Sequence, residues 1–234
     1  MPHHTALDVA AVQAPMRALF DSGATRAHAW RIKQLRTLLR MADECRDEFC
    51  EALQKDLGKD VLEGYLTEMA MIRSHCQHAI DHLHGWMQPE ATASPGALMP
   101  VYSYIRHEPR GVLLLIGPFN YPVSLVLGPM VGAFAGGNCV VAKPSELTPH
   151  SAEVMDAAVR KYFDPAVATL VLGGIPETTA LLQQPWDLIF FTGSDRVGKI
   201  VAGAAAKTLS PVVLELGGKS PVFIDKDPPH MKTM

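Results

Sequence analysis

Residues 111–142 constrain this chain more than any other stretch, because they carry no charge and yet cannot run as one continuous helix. The stretch is long enough to cross a membrane. It is interrupted, however, by Pro118, Pro122 and Pro129, by Asn120 and Asn138, and by Gly117, Gly128, Gly132, Gly136 and Gly137. Proline removes a backbone donor and breaks helix continuity, so the punctuation predicts buried strand, turn and helix rather than a span. Gly111-Val112-Leu113-Leu114-Leu115-Ile116 and Cys139-Val140-Val141-Ala142 are short and wholly apolar. Such runs fit parallel strands covered on both faces.

The segments that follow alternate in kind. Their spacing predicts helices over 151–162, 177–183 and 197–207, and strands over 168–172, 188–191 and 211–215. Repeated β-α-β units imply an α/β fold with an open parallel sheet and helices on both faces. Upstream, residues 15–57 are rich in helix formers. Leu35, Leu38, Leu39 and Ala42 form one stripe, Arg36, Arg40 and Asp43 face away, and Gly58 stops the segment. A second helical stretch, 61–84, ends at Gly85 with Pro89 just beyond. Residues 88–100 read as a connection, and 101–105 alternate like a half-buried strand. The fold class is therefore α/β, with N-terminal helices packed on the sheet.

With 234 residues, 48% of them hydrophobic, the chain can bury a sizeable core. A net charge of −3 gives no electrostatic reason to expect a nucleic-acid partner. The polar start, Met1-Pro2-His3-His4-Thr5, lacks the pattern of a secretory signal, and no membrane segment is expected, so the predicted location is cytoplasmic. Cys45, Cys50, Cys76 and Cys139 form no C-x-x-C pair and are expected as reduced, mostly buried thiols. His75, His78 and His82 share a helix face at a spacing that can gather a metal, but with no second shell identifiable a solvated surface is expected and no metal site. Trp86 and Trp186 are expected to pack, and Arg17, Arg26, Arg31, Arg36 and Arg40 to be solvated.

Parallel sheets bind ligands at the carboxyl ends of their strands. Four predicted strands end there in a polar or glycine-rich turn: Gly117-Pro118-Phe119-Asn120-Tyr121-Pro122, Lys143-Pro144-Ser145-Glu146, Thr192-Gly193-Ser194-Asp195-Arg196-Val197-Gly198 and Glu215-Leu216-Gly217-Gly218-Lys219-Ser220-Pro221. Gly193-Ser194 opens a helix, whose free N–H groups suit a pyrophosphate. Lys143 and Glu146 suit ribose hydroxyls, although a tight turn with a solvated Lys/Glu pair would carry the same residues. The G-x-G-x-x-G pattern is absent.

Taken together and in this order, the four turns resemble the aldehyde dehydrogenase superfamily over nearly the whole chain. Glu108-Pro109-Arg110-Gly111-Val112 running into Asn120 is similar to that family's asparagine motif. Val140 to Glu146 is similar to its adenosine-ribose turn, Gly193 and Gly198 to its dinucleotide glycines, and Leu214-Glu215-Leu216-Gly217-Gly218-Lys219-Ser220-Pro221 to its glutamate signature. Gly173-Gly174-Ile175-Pro176-Glu177-Thr178-Thr179 resembles the class 3 branch, which takes medium- and long-chain or aromatic aldehydes with NAD or NADP. The resemblance implies a Rossmann-like fold in four parts: a helical part (1–87), a bridging hairpin segment (88–107), an NAD(P)-binding core (108–215) and the start of a largely missing catalytic domain (216–234). It also implies catalytic roles for Glu215 and Asn120, and cofactor contacts from Lys143, Glu146, Gly193, Ser194, Val197, Gly198, Leu216 and Gly217. The family's nucleophilic cysteine follows the glutamate motif, whereas every cysteine here precedes Glu215. The expected activity is aldehyde oxidation with NAD(P)+, by a homodimer when full-length. The alternative is an inactive NAD(P)-binding remnant or truncated fragment that docks on a complete subunit.

Overall fold

The computed structural model describes residues 8–224 and 226. The polar start read above from sequence lies outside them, as does the end of the 216–234 part. The helical part opens with α1 (Val9–Asp21), whose first turn is capped by the Asp8 carboxylate accepting from the Ala11 amide at 3.0 Å. Then come α2 (His28–Glu44) and α3 (Arg46–Leu57). Gly58 ends α3 at φ +67°, a left-handed cap that suits glycine. The next stretch starts as α4 (Val61–Gly64), passes through a π-helical turn at Tyr65–Met69 and continues as α5 (Ala70–Trp86), so Gly85 lies inside the helix rather than ending it.

The connection contains one strand not read from sequence, β1 (Glu90–Thr92), which pairs antiparallel with β2 (Ser103–Ile105). The core then follows as β3 (Val112–Ile116), α6 (Ser124–Ala135), β4 (Cys139–Lys143), α7 (Pro149–Tyr162), β5 (Ala168–Leu170), α8 (Ile175–Leu182), β6 (Leu188–Thr192), α9 (Asp195–Thr208) and β7 (Val212–Glu215). Among the described residues these strands form a parallel sheet of order β5-β4-β3-β6-β7. The chain moves outward from β3 to β5, then returns to β3's other side for β6. That reversal is a topological switch point, where open α/β sheets place their ligands.

Side chains alternate across a strand, and the two faces are covered by different helices. Leu113, Leu115, Val140 and Ala142 join the core built with α2, α3, α5, α6 and α7. Val112, Leu114, Ile116, Cys139 and Val141 pack with Val9 and Met16 of α1 and with Val201 and Ala205 of α9. Thus α1 lies across the sheet from the other N-terminal helices. No described helix is long and apolar enough to cross a membrane.

Besides the Gly85 stop, two expectations fail: Trp86, expected to pack, is 45% exposed, and Arg31 is not where it was expected. Arg31 is buried, not solvated: its guanidinium donates to the Ala135 carbonyl at 3.1 Å and the Thr25 carbonyl at 3.4 Å, serving the last turn of α6. The same corner holds Asn138. Its Oδ1 accepts from the amides of Arg110 (2.7 Å) and Gly111 (2.9 Å), while Nδ2 donates to the Ala133 carbonyl at 3.1 Å. The side chain thereby ties the entry of β3 to the end of α6. Removing it strands the Gly111 amide and the part-buried Arg110 amide, each costing about 1–3 kcal/mol, while the Ala133 carbonyl keeps the Asn138 amide. Asn138→Ala is therefore expected to lower unfolding stability by about 2–4 kcal/mol, read from urea denaturation.

Candidate functional site

The pairing register aligns the strand ends. Lys143 stands opposite Ile116, Ile116 opposite Phe191, and Phe191 opposite Leu214, with Thr192 and Glu215 paired one step further on. With strands about 4.8 Å apart, the four turns after β4, β3, β6 and β7 line one edge roughly 14 Å wide.

At the β6 end, the Gly193 amide donates to the Glu215 carbonyl at 3.0 Å, joining the two turns. A Cβ on Gly193 would sit 2.5 Å from Cζ of Phe191, so only glycine fits the turn as built. Ser194 caps α9, its hydroxyl accepting from the Val197 amide at 3.4 Å. Gly198 lies against Leu216, where an added Cβ would come within 2.8 Å of Cδ2. Leu216 therefore closes over the first turn of α9. Gly217 is exposed, and a Cβ there would meet nothing within 4 Å. Glu215 ends β7 and is exposed.

At the β4 end, Glu146 is exposed, as a solvated pair would have it, but its partner is not. Lys143 is buried, its ammonium donating to the Pro144 carbonyl at 2.7 Å and standing 3.6 Å from Glu146 Oε2. Burial pushes the Lys143 pKa below the ordinary lysine range, while Glu146 and Glu177 pull it back. A cleft of about 220 Å³ opens beside the pair, lined by Pro144, Ser145, Glu146, Pro149, Ala152, Glu153, Leu172 and Gly173. A larger groove of about 690 Å³ runs along α2 and borders none of these residues.

At the β3 end, Asn120 is exposed, with its Oδ1 accepting from the Tyr121 amide at 3.1 Å. What fixes this turn is a buried ion pair absent from the sequence reading. Lys59 Nζ donates to Glu68 Oε1 at 2.7 Å and to the Asn120 carbonyl at 3.0 Å, and lies 4.1 Å from the centre of the Tyr121 ring. Glu68 Oε2 accepts from the amides of Val123 (2.8 Å) and Ser124 (3.0 Å), satisfying free donors where α6 begins. The signal was present: Glu68 sits four residues before Ile72 on the stripe that continues through Cys76, Ala79 and Leu83, all buried. A carboxylate on a core stripe needs a partner. The π-helical turn carries it.

All four cysteines are buried and free. Burial pushes Cys76 and Cys139 up to about 12 and raises Cys45 and Cys50 as well, so none resembles a reactive thiolate.

This geometry has close relatives. The aldehyde dehydrogenase family profile matches residues 1–232. The chain belongs to the aldehyde dehydrogenase family. It is 45% identical over 211 residues to a dimeric NADP-preferring aldehyde dehydrogenase of Rattus norvegicus, covering 90% of this chain and 47% of that protein. Its fold matches the substrate-bound state of Staphylococcus aureus AldH with a TM-score of 0.90 at 40% identity, covering 94% of this chain and 48% of that one. A betaine aldehyde dehydrogenase double mutant from Staphylococcus aureus, in complex with NAD+, matches with a TM-score of 0.79 at 28% identity, covering 92% of this chain and 43% of that one. The chain spans about half the length of the curated relatives it matches.

Within this aldehyde dehydrogenase chain, the Lys59–Glu68 pair makes a direct prediction. Lys59→Met leaves a buried carboxylate unpaired and is expected to cost about 3–5 kcal/mol. Lys59→Met with Glu68→Gln removes the charge while keeping an acceptor for Val123 and Ser124, and should recover most of that loss in the same denaturation assay.

Proposed function

We propose that this chain supplies the NAD(P)-binding part of an aldehyde dehydrogenase that oxidises aldehydes to carboxylic acids. The observation that carries the reading is the placement of all four motif turns on neighbouring parallel strands, at one edge, across the switch point. The residues fit a dinucleotide. The turn at Gly193 has no room for a Cβ, α9 offers unpaired N–H groups beside Ser194, and Glu146 lines a cleft next to the buried Lys143.

In this reading Gly193, Ser194, Val197 and Gly198 hold the pyrophosphate at the α9 N-terminus. Lys143 donates to ribose hydroxyls and Glu146 accepts from them. Leu216 and Gly217 flank the nicotinamide end, next to Glu215. NAD+ or NADP+, when bound, accepts the hydride of the aldehyde. The Asn120 side-chain amide donates to the oxygen that gains charge as a thiolate adds to the carbonyl. Glu215 takes a proton from the water that releases the acid, and as an exposed strand-end residue before Gly217-Gly218 it can move to do so. The thiol is not one of the chain's own buried cysteines. The relative named as dimeric and NADP-preferring supports the cofactor class and assembly as a homodimer, and the paired β1 and β2 are the segment this reading assigns to bridging the subunits. Medium- and long-chain or aromatic aldehydes are the proposed substrates.

A second reading is an NAD(P)-binding piece that docks on a complete subunit. It is favoured by apolar residues left exposed at the far end: Val213 on the edge strand β7, followed by Val222, Phe223 and Ile224.

Calorimetric titration of the 234-residue chain with NAD+ and NADP+ tests the shared claim. Saturable binding that Gly193→Asp abolishes, with the circular dichroism spectrum unchanged, is expected, together with no aldehyde oxidation by this chain. Heat indistinguishable from dilution for both cofactors would refute the reading.

A further inference from the structure

The exposed face of α5 carries a stack the catalytic reading does not use. His78 and His82 stand one turn apart with ring centroids 4.2 Å apart and planes tilted by 30°. Trp86, one turn further, lies 5.6 Å from the His78 ring and 5.9 Å from the His82 ring. Nδ1 of His82 is 2.8 Å from the His78 carbonyl oxygen. A carbonyl only accepts, so Nδ1 carries the proton and donates, which leaves the lone pair on Nε2 facing away from the helix. A backbone carbonyl that fixes tautomer and ring orientation in this way is the usual support of a metal-bound histidine.

Two imidazole nitrogens on one cation at about 2.0–2.1 Å lie roughly 3 Å apart. Rings stacked at 4.2 Å with planes 30° apart do not aim their lone pairs at one point, so chelation requires His78 to leave the stack for a rotamer that brings both Nε2 atoms onto one ion, which the i, i+4 spacing on one helix face allows. His75 is not part of the pair: it points toward α6, where its Nδ1 would lie 3.7 Å from a Cβ built on Gly128. No group of three or more His, Cys, Asp or Glu forms a metal cluster among the described residues, so the remaining positions would fall to water. We infer that His78 and His82 form a two-imidazole surface chelate for a divalent transition cation of the Cu2+, Ni2+ or Zn2+ class, with Trp86 stacked beside it. Imidazole favours these ions over Mg2+ or Ca2+, which prefer oxygen ligands. The site is separate from the strand-end turns, and its fate does not depend on the cofactor reading.

Trp86 serves as the local reporter. His3 and His4 also offer imidazoles and lie outside the described residues, so total metal uptake would not discriminate. EDTA-treated protein is titrated with CuCl2 while tryptophan emission is followed, with Trp86→Phe subtracted to isolate Trp86 from Trp30 and Trp186. Saturable quenching of the Trp86 component is expected, with half-saturation moved up about tenfold or more by His78→Ala or His82→Ala. His75→Ala should leave it in place, and MgCl2 should not quench. All four rings are exposed, so the variants should fold, which their melting curves will show. Non-saturating quenching, or saturation unchanged in the His78→Ala/His82→Ala double variant, would overturn the assignment.

Discussion

Strands β3 and β4 bury all five of their residues on both faces, so every peptide group along them must find its partner inside the sheet. That constraint shapes the rest. The central pair needs strands on its outer sides, which β5 and β6 provide, and apolar cover above and below. The cover comes from two sets of helices, one led by α6 and α7 with the N-terminal helices behind them, the other by α1 and α9. Polar groups are pushed to the strand ends, where the chain must turn. The turns at the carboxyl ends are accordingly the place where a ligand can meet backbone N–H groups, a lysine and carboxylates together.

Three of the four turns are pinned by named contacts. The asparagine turn rests on Lys59 and Glu68, the β4 turn on the buried Lys143 ammonium, and the β6 turn on Phe191 and on the Gly193–Glu215 backbone bond. The common logic is that a buried charge or a close ring fixes backbone that would otherwise be loose. In the Lys59–Glu68 pair, one carboxylate oxygen neutralises the lysine while the other receives two amides of the helix start. Its value is geometric more than energetic, since buried ion pairs recover much of their Coulomb gain only against a large desolvation cost.

Much of this was legible in the sequence. Wholly apolar runs such as 112–116 and 139–142 announced buried parallel strands, and Gly58 and Ser194 marked helix ends correctly because both act through local backbone chemistry. The position of the four turns was legible as well, since β-α-β alternation implies a parallel sheet whose carboxyl ends share one edge, whereas the roles of their residues came from the family resemblance. What failed was anything set by distant packing. Arg31 looked like its solvated neighbours Arg36 and Arg40, and only the arrival of the α6 terminus explains its burial. The partnership of Lys59 with Glu68 spans a helix start, and β1 became visible only once β2 paired with it. The stacking of His78 on His82 depends on ring rotamers, which spacing does not specify.

The central claim is that the turns after β4 and β6 jointly hold a dinucleotide. Hydrogen–deuterium exchange with and without saturating NADP+ tests it most directly, because it reports where the ligand sits rather than whether it binds. The account predicts slowed exchange at residues 143–146, 193–198 and 216–217, with α2 and α5 unchanged. Slowed exchange along the α2 groove instead, or none at either turn while the cofactor is bound, would contradict it.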